Sequence, residues 1–176
     1  MDSSELERFE AVVLPHLDPA WTLARYLTRN DQDAEDVVQE ASLRALRHFS
    51  GFRGNPGREA RAWLLAIVRN AAYSLSKKLR TDALATEFDE EVHSEAVSGD
   101  EPGAALDREL ARDAFRRALD RLGPEYREVI VLRELEELSY KEISDVTGVP
   151  VGTVMSRLSR ARRRLAAALG SEAEGR

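Results

Sequence analysis

Residues Leu138–Leu165 read "LSYKEISDVTGVPVGTVMSRLSRARRRL". Ser139 and Glu142 have the spacing of a capping box, in which each side chain satisfies a backbone N–H left over at a helix start. Leu138 and Ile143 flank the box as a hydrophobic staple. The spacing predicts a helix from Tyr140. Gly148 closes it, because glycine adopts the left-handed backbone of a helix end without steric cost. Ser144 supplies a small residue close to the turn. "GVPVG" then forms a tight turn, and a second helix is expected from about Gly152 to Leu169. A short helix, a glycine turn and a longer second helix make a helix-turn-helix pattern.

The second helix sorts by angle, at about 100° per residue. Val154, Leu158, Ala161, Leu165 and Leu169 fall on one side. Thr153, Ser156, Arg157, Arg160 and Arg164 fall roughly opposite. Arginines suit phosphates and guanine edges, and small hydroxyl side chains permit close approach to bases. A basic amphipathic helix on a bundle surface would share part of this pattern. The capping box, the turn glycine and the two faces together favour a DNA-binding helix.

Those arginines belong to an acidic protein. The chain of 176 residues has 32 Asp and Glu against 26 Lys and Arg, a net charge of −6. The charges are segregated. Residues 53–80 hold seven bases and one acid, and residues 150–169 hold five bases and no acid. Between them, residues 81–108 hold nine acids and one base. Two basic helical segments divided by an acidic one point to a polyanionic partner.

The chain is long enough for one ordinary domain or two small ones. Alanine, leucine, arginine and glutamate dominate, which favours helix. With no cysteine, a disulfide, a thiolate nucleophile and a Cys-based zinc site are excluded. His16, His48 and His93 lie on separate segments and form no metal-ligand spacing. No cofactor or metal is expected. The start, "MDSSELERFE", lacks a secretory pattern, and no apolar run nears the roughly 20 residues of a membrane span. A cytoplasmic, all-α protein is expected.

Residues 81–108, "TDALATEFDEEVHSEAVSGDEPGAALDR", show no sustained period and read as a flexible acidic linker. They divide residues 1–80 from residues 109–170, with a tail at 171–176. In the first part, helices are expected from about Ser4 to Leu14 and from Ala20, with Pro15 and Pro19 between. A third starts at Asn30 or Asp31, carries acids in its first turn, and has an apolar stripe of Ala34, Val38, Ala41, Ala45 and Phe49. "SGFRGNPG" is a loop. The helix after it offers Trp63, Leu64, Ile67, Val68, Ala71 and Leu75 for burial. In the second part, a helix from Leu106 to Arg121 stops at Gly123-Pro124. "EYREVIVLRELEE" then gives Val129, Ile130, Leu132 and Leu135 to the core.

Residues 121–165 resemble region 4 of the extracytoplasmic-function (ECF) sigma factors of bacterial RNA polymerase. "DAEDVVQEASLRALRHF" resembles their region 2.1–2.2 helix, and "AWLLAIVRNAAYSLSKK" their regions 2.3–2.4. The likeness covers about residues 6–80 and 110–169, in the family's order. It implies a region 2 helical bundle and a region 4 helix-turn-helix. It also implies binding to core RNA polymerase through the β′ clamp helices and the β flap. Promoter DNA would be bound both as duplex and as single strand, under the control of an anti-sigma factor.

By position, the resemblance places Asp33, Asp36, Gln39 and Glu40 on the polymerase-docking face. An acidic face there suits a basic partner. The −10 element would be opened and read by Arg53, Arg58, Arg61, Trp63, Arg69, Asn70, Tyr73, Lys77 and Lys78. Trapping an unpaired base needs stacking surfaces and donors, which these residue types offer. A tryptophan opening an apolar helix is nevertheless more often core. The −35 element falls to Val151, Thr153, Met155, Ser156, Arg157, Ser159, Arg160, Arg163 and Arg164, with Arg157 and Arg163 on phosphates. Met155 and Ser159 stand where the family often carries larger polar or aromatic residues. The acidic linker would thread toward the polymerase active site or serve as a soluble spacer.

Two other readings compete. A dimeric helix-turn-helix regulator acting without polymerase leaves residues 33–40 and 53–80 without a role. A helical carboxylate-metal enzyme lacks a second acidic pair on a facing helix.

Overall fold

The computed structural model describes residues 2–85 and 104–174. Among them are eight α-helices and no strand. The first half holds α1 (Ser3–Val13), α2 (Leu17–Thr28), α3 (Asp31–His48) and α4 (Arg58–Ala85). The second half holds α5 (Ala104–Asp120), α6 (Pro124–Ile130), α7 (Tyr140–Thr147) and α8 (Val151–Glu174). Among the described residues, no helix is long and apolar enough to cross a membrane.

Helix ends follow local chemistry. Asn30 caps α3 by accepting the Asp33 N–H at 3.0 Å. Gly123 precedes α6, with Pro124 at the first-turn position where its missing N–H costs nothing. The capping box of α7 is complete: Ser139 Oγ accepts from the Glu142 N–H at 3.1 Å, and a Glu142 carboxylate oxygen accepts from the Ser139 N–H at 2.7 Å. Leu138 and Ile143 are fully buried beside it. Gly148 ends α7 with φ +74°, and its N–H donates to the Ser144 carbonyl. The Ser144 hydroxyl donates to the Val149 carbonyl at 2.6 Å and ties the turn to the helix.

Helices α2, α3 and α4 pack mutually around Leu23, Ala34, Ala41, Leu64, Leu65 and Val68. Alanines at the α3 contact let the helices approach closely. In the second half, α6 and α7 pack on α8 through Ile130, Ile143, Val154, Leu158 and Ala161. The two halves are not separate bodies. Helix α4 packs on α7 and α2 on α6, and the buried residues of both halves form one continuous cluster.

Several elements differ from the sequence reading. Helix α4 runs to Ala85 and α5 starts at Ala104, so both ends of the expected 81–108 linker are helical. Residues 86–103 of that linker lie outside the described residues. Helix α2 begins at Leu17 with Pro19 inside its first turn, and a single 3₁₀ turn, Leu14–His16, separates it from α1. Helix α8 continues into the expected tail, to Glu174. In α3 the buried position is Val37, while Val38 is only half-buried, because the helix rotates its stripe toward α2 and α4. Leu135 is 39% exposed rather than core. It ends a wider π-type turn at Val131–Leu135, which shifts the register and turns the side chain outward.

Gly148→Ala is expected to destabilise the chain by about 1 kcal/mol through its left-handed backbone alone, since a Cβ there meets nothing within 4 Å. Gly152→Ala, with equal space but a helical backbone, is expected to be neutral or stabilising. Urea denaturation of both variants checks the contrast, and equal effects would contradict it.

Candidate nucleic-acid interface

Helix α8 presents two faces, as its sequence requires. Val154, Leu158 and Ala161 are buried against α6 and α7. Ser156, Ser159, Arg160 and Arg163 are exposed, Thr153 and Arg157 are half-buried, and Val151 and Met155 are 37% and 52% exposed. Arg164 is exposed, and its guanidinium lies over the Tyr126 ring of α6 at 4.4 Å. All nine −35 candidates therefore lie on the N-terminal two-thirds of one helix. Arg162, not among them, is held instead by Glu134 from the π turn at 2.7 Å.

The −10 candidates divide into three groups. Arg53 and Arg58 are exposed in and just after the loop before α4. This loop closes tightly at Gly54, where a Cβ would stand 2.7 Å from the Phe52 ring. Trp63 joins Phe49 and Phe52, with ring centroids 6.4 and 4.8 Å away. The aromatic cluster extends to Phe9, edge-on to Phe49 at 5.3 Å. Trp63 is half-buried, so it is at least partly a packing residue. Asn70, Lys77 and Lys78 are exposed, and Trp63, Asn70 and Lys77 recur at every seventh position along one line of the helix.

The third group, Arg61, Arg69 and Tyr73, turns toward the second half of the chain. Arg61 Nη1 donates to the Glu136 carbonyl at 3.3 Å. Arg69 meets the fully buried Glu128 of α6 with two hydrogen bonds, Nε to Oε2 at 2.7 Å and Nη2 to Oε1 at 3.2 Å. Its guanidinium also lies 4.5 Å from the Tyr73 ring centroid. Burial pushes the Glu128 carboxyl above its ordinary value, and the Arg69 hydrogen bond and charge pull it back. Burial opposes the Arg69 charge, yet the bonded carboxylate leaves its pKa above the usual guanidinium value. Tyr73 is pushed up by burial and by the Glu128 charge, so its hydroxyl stays protonated.

Beside this pair, Arg127 is buried and donates to three carbonyls: Leu119 at 3.1 Å, Leu122 at 2.8 Å and, across the halves, Tyr26 at 3.4 Å. Burial and the Arg29 charge lower its pKa. Neither Glu128 nor Arg127 was among the sequence candidates. The signal was a charged Arg-Glu pair preceding the apolar run Val129–Leu132 on a short helix, where a solvated face would be expected.

On α3, Asp36 and Gln39 are exposed, and Asp33 and Glu40 half-buried. Glu40 accepts from Arg44 at 2.7 Å. Asp36 and Glu40 border the groove between α3 and α4 with Arg44, Ser74, Leu75 and Lys78, and Asp33 borders a neighbouring one with Ala72, Ser76 and Leu79.

The fold and this basic helix-turn-helix define a DNA-binding helical protein of two linked modules. Residues 12–81 match the sequence profile of Sigma-70 region 2, and residues 112–165 that of Sigma-70, region 4. The chain belongs to the ECF family of RNA polymerase sigma factors. It is 33% identical to the ECF RNA polymerase sigma factor SigE of Mycolicibacterium smegmatis over 93% of this chain, and spans 62% of that protein's length. It is 36% identical to the ECF RNA polymerase sigma factor SigL of Mycobacterium tuberculosis, covering 93% of this chain and 89% of SigL. It also resembles the sigma factor RpoE of Bartonella quintana solved in complex with the anti-sigma factor NepR. That match has TM-score 0.71 and 28% identity over 89% of this chain and 93% of that one. CnrH, solved with the cytosolic domain of CnrY, matches with TM-score 0.66 and 29% identity over 94% and 90% of the two chains. Sigma factors are initiation factors, and the chain is not an enzyme.

Arg69→Ala leaves the buried Glu128 without its main partner. It is expected to cost about 3 kcal/mol at pH 7. Because the folded-state pKa of Glu128 is raised, protonation relieves the unpaired charge. The deficit relative to the parent chain is therefore expected to narrow as pH falls from 7 toward 5. Urea denaturation at both pH values checks this, and a deficit independent of pH would contradict it.

Proposed function

We propose that the chain binds core RNA polymerase in the cytoplasm and directs it to promoters, and that an anti-sigma factor restrains it. The observation that carries this reading is the pairing of two basic DNA-facing helices, α4 and α8, within a chain matching both sigma regions in order. Family membership disfavours the dimeric regulator, which needs neither the region 2 half nor its acidic α3 face.

In this reading the polar face of α3, with Asp33, Asp36, Gln39 and Glu40, meets the β′ clamp helices, and the helix-turn-helix module meets the β flap. Asn70, Lys77 and Lys78, with Arg53 and Arg58, receive the opened −10 strand. Asn70 is the best base-contacting candidate, since it has both donor and acceptor and is exposed. The lysines and outer arginines meet phosphates. Arg160 reads a base in the −35 duplex, while Val151 and Met155 offer apolar groups to the same groove. The polymerase supplies all bond-making chemistry. Strand opening draws on the binding of unpaired bases.

The purified chain is expected to co-purify with core polymerase and to support run-off transcription from a promoter selected out of a genomic library. Failure to bind core, together with tight dimeric binding to a palindrome, would sink the reading. Arg160→Ala is expected to weaken −35 recognition by about 1–3 kcal/mol at one base position. A uniform loss across sequences would mark a phosphate contact instead. Asn70→Ala is expected to reduce open-complex formation, seen by permanganate reactivity, more than closed-complex binding.

A further inference from the structure

We propose that Arg8 and His16, which have no DNA contact in the reading above, are positioning residues for −10 recognition. They anchor the two ends of the loop before α4 from α1 and the 3₁₀ turn after it, and so set the aim of Arg53 and Arg58. The inference rests on the assignment of that loop to the −10 strand made above.

The loop, residues 52–57, is shaped partly from within. The Asn55 side-chain oxygen accepts from the Gly57 N–H at 3.2 Å, and a Glu59 carboxylate oxygen accepts from the Asn55 N–H at 2.8 Å. These bonds are local and do not tie the exposed far end of the loop to the bundle. Two side chains from elsewhere do. Arg8 Nη2 donates to the Phe52 carbonyl at 3.3 Å, and His16 Nε2 donates to the Pro56 carbonyl at 3.0 Å. A carbonyl only accepts, so this bond requires the proton on Nε2. The anchors lie 44 and 40 residues from the carbonyls they hold. Because a peptide unit is planar, each bond fixes a plane: one leads into Arg53, the other into Gly57 and Arg58.

Arg8 has a further consequence for Arg53. Arg53 Nη1 donates to the Ser50 carbonyl at 2.5 Å and to the Phe52 carbonyl at 3.4 Å. Reaching for a phosphate takes Arg53 from both. Arg8 still serves the Phe52 carbonyl, so the backbone under Arg53 keeps its place as the side chain leaves. The Arg8 guanidinium also lies over the Phe49 ring at 4.9 Å, which seats it on the aromatic cluster. Arg53 and residues 55–58 are exposed, so the anchored loop keeps an open side for DNA. Phosphate contacts hold a strand in register for the groups that read its bases. A loop that wanders therefore loses base discrimination at Asn70 as well as affinity.

The test uses the full chain assembled with core polymerase on the promoter selected as above. Templates carry single substitutions in the −10 or −35 element, and run-off transcription from each gives a preference profile. Arg8→Met and His16→Leu remove the donors, while His16→Gln keeps a donor where Nε2 stood. Circular dichroism melts establish that each variant is folded. The double variant, Arg8→Met with His16→Leu, is expected to lose about fivefold or more in discrimination at one or more −10 positions, with the −35 profile unchanged. His16→Gln is expected to restore most of what His16→Leu loses. In the Arg53→Ala chain, adding Arg8→Met is expected to cost little more, because the two act through one contact. A folded double variant with an unaltered −10 profile overturns the proposal. So does an equal loss on every template, or a His16→Gln chain as defective as His16→Leu, since either marks a merely structural role. Arg53→Ala together with Arg58→Ala separates the two ideas. Normal promoter opening in that chain, seen by permanganate reactivity, would refute the assignment of the loop to the −10 strand. Impaired opening there, alongside unresponsive Arg8 and His16 variants, would refute the anchors alone.

Discussion

A carboxylate sealed from water must have a cation beside it, and in this chain the cation comes from the other module. The Glu128–Arg69 contact joins α6 to α4 across the modules. Around it the fold sets α7 against α4, α2 against α6, and Arg127 against the end of α2. Without the pair, two small helical bundles would meet through apolar contacts with a charge stranded between them. With it, the modules share one buried cluster, and the orientation of α8 relative to α4 follows.

The same contact explains how an acidic protein handles a polyanion. Eleven of its 26 bases lie on α4 and α8, and fourteen of its 32 acids on α3 and in the 81–108 segment. Exposed arginines of α8 and exposed lysines of α4 keep their long-range attraction for DNA. The inward Arg69 of α4 is neutralised internally by Glu128. Charge that steers association is thereby separated from charge that closes the chain.

Much of this was legible in the sequence where a local rule determined the outcome. The capping box at Ser139–Glu142, the left-handed Gly148, the N-cap at Asn30 and the two faces of α8 depend on neighbours within a turn or two. The sequence reading failed where position depends on distant packing. Val37 replaces Val38 in the core because α2 and α4 choose the face of α3. Leu135 turns outward because a π turn inserts a shift in register that hydrophobic periodicity does not encode. By sequence Arg69 reads as a promoter contact and Glu128 is not singled out, since nothing local says that residues 59 apart will meet. The candidate site was readable as a set of residue types. Its division into exposed readers and inward-facing arginines was not.

The most direct measurement of the central claim, that the free chain is closed, is small-angle X-ray scattering of the isolated protein at moderate salt. Closed modules predict a radius of gyration close to the roughly 16 Å of a compact chain of this length. A radius larger than that by about a third or more, with the two-lobed distance distribution of separated modules, would contradict it.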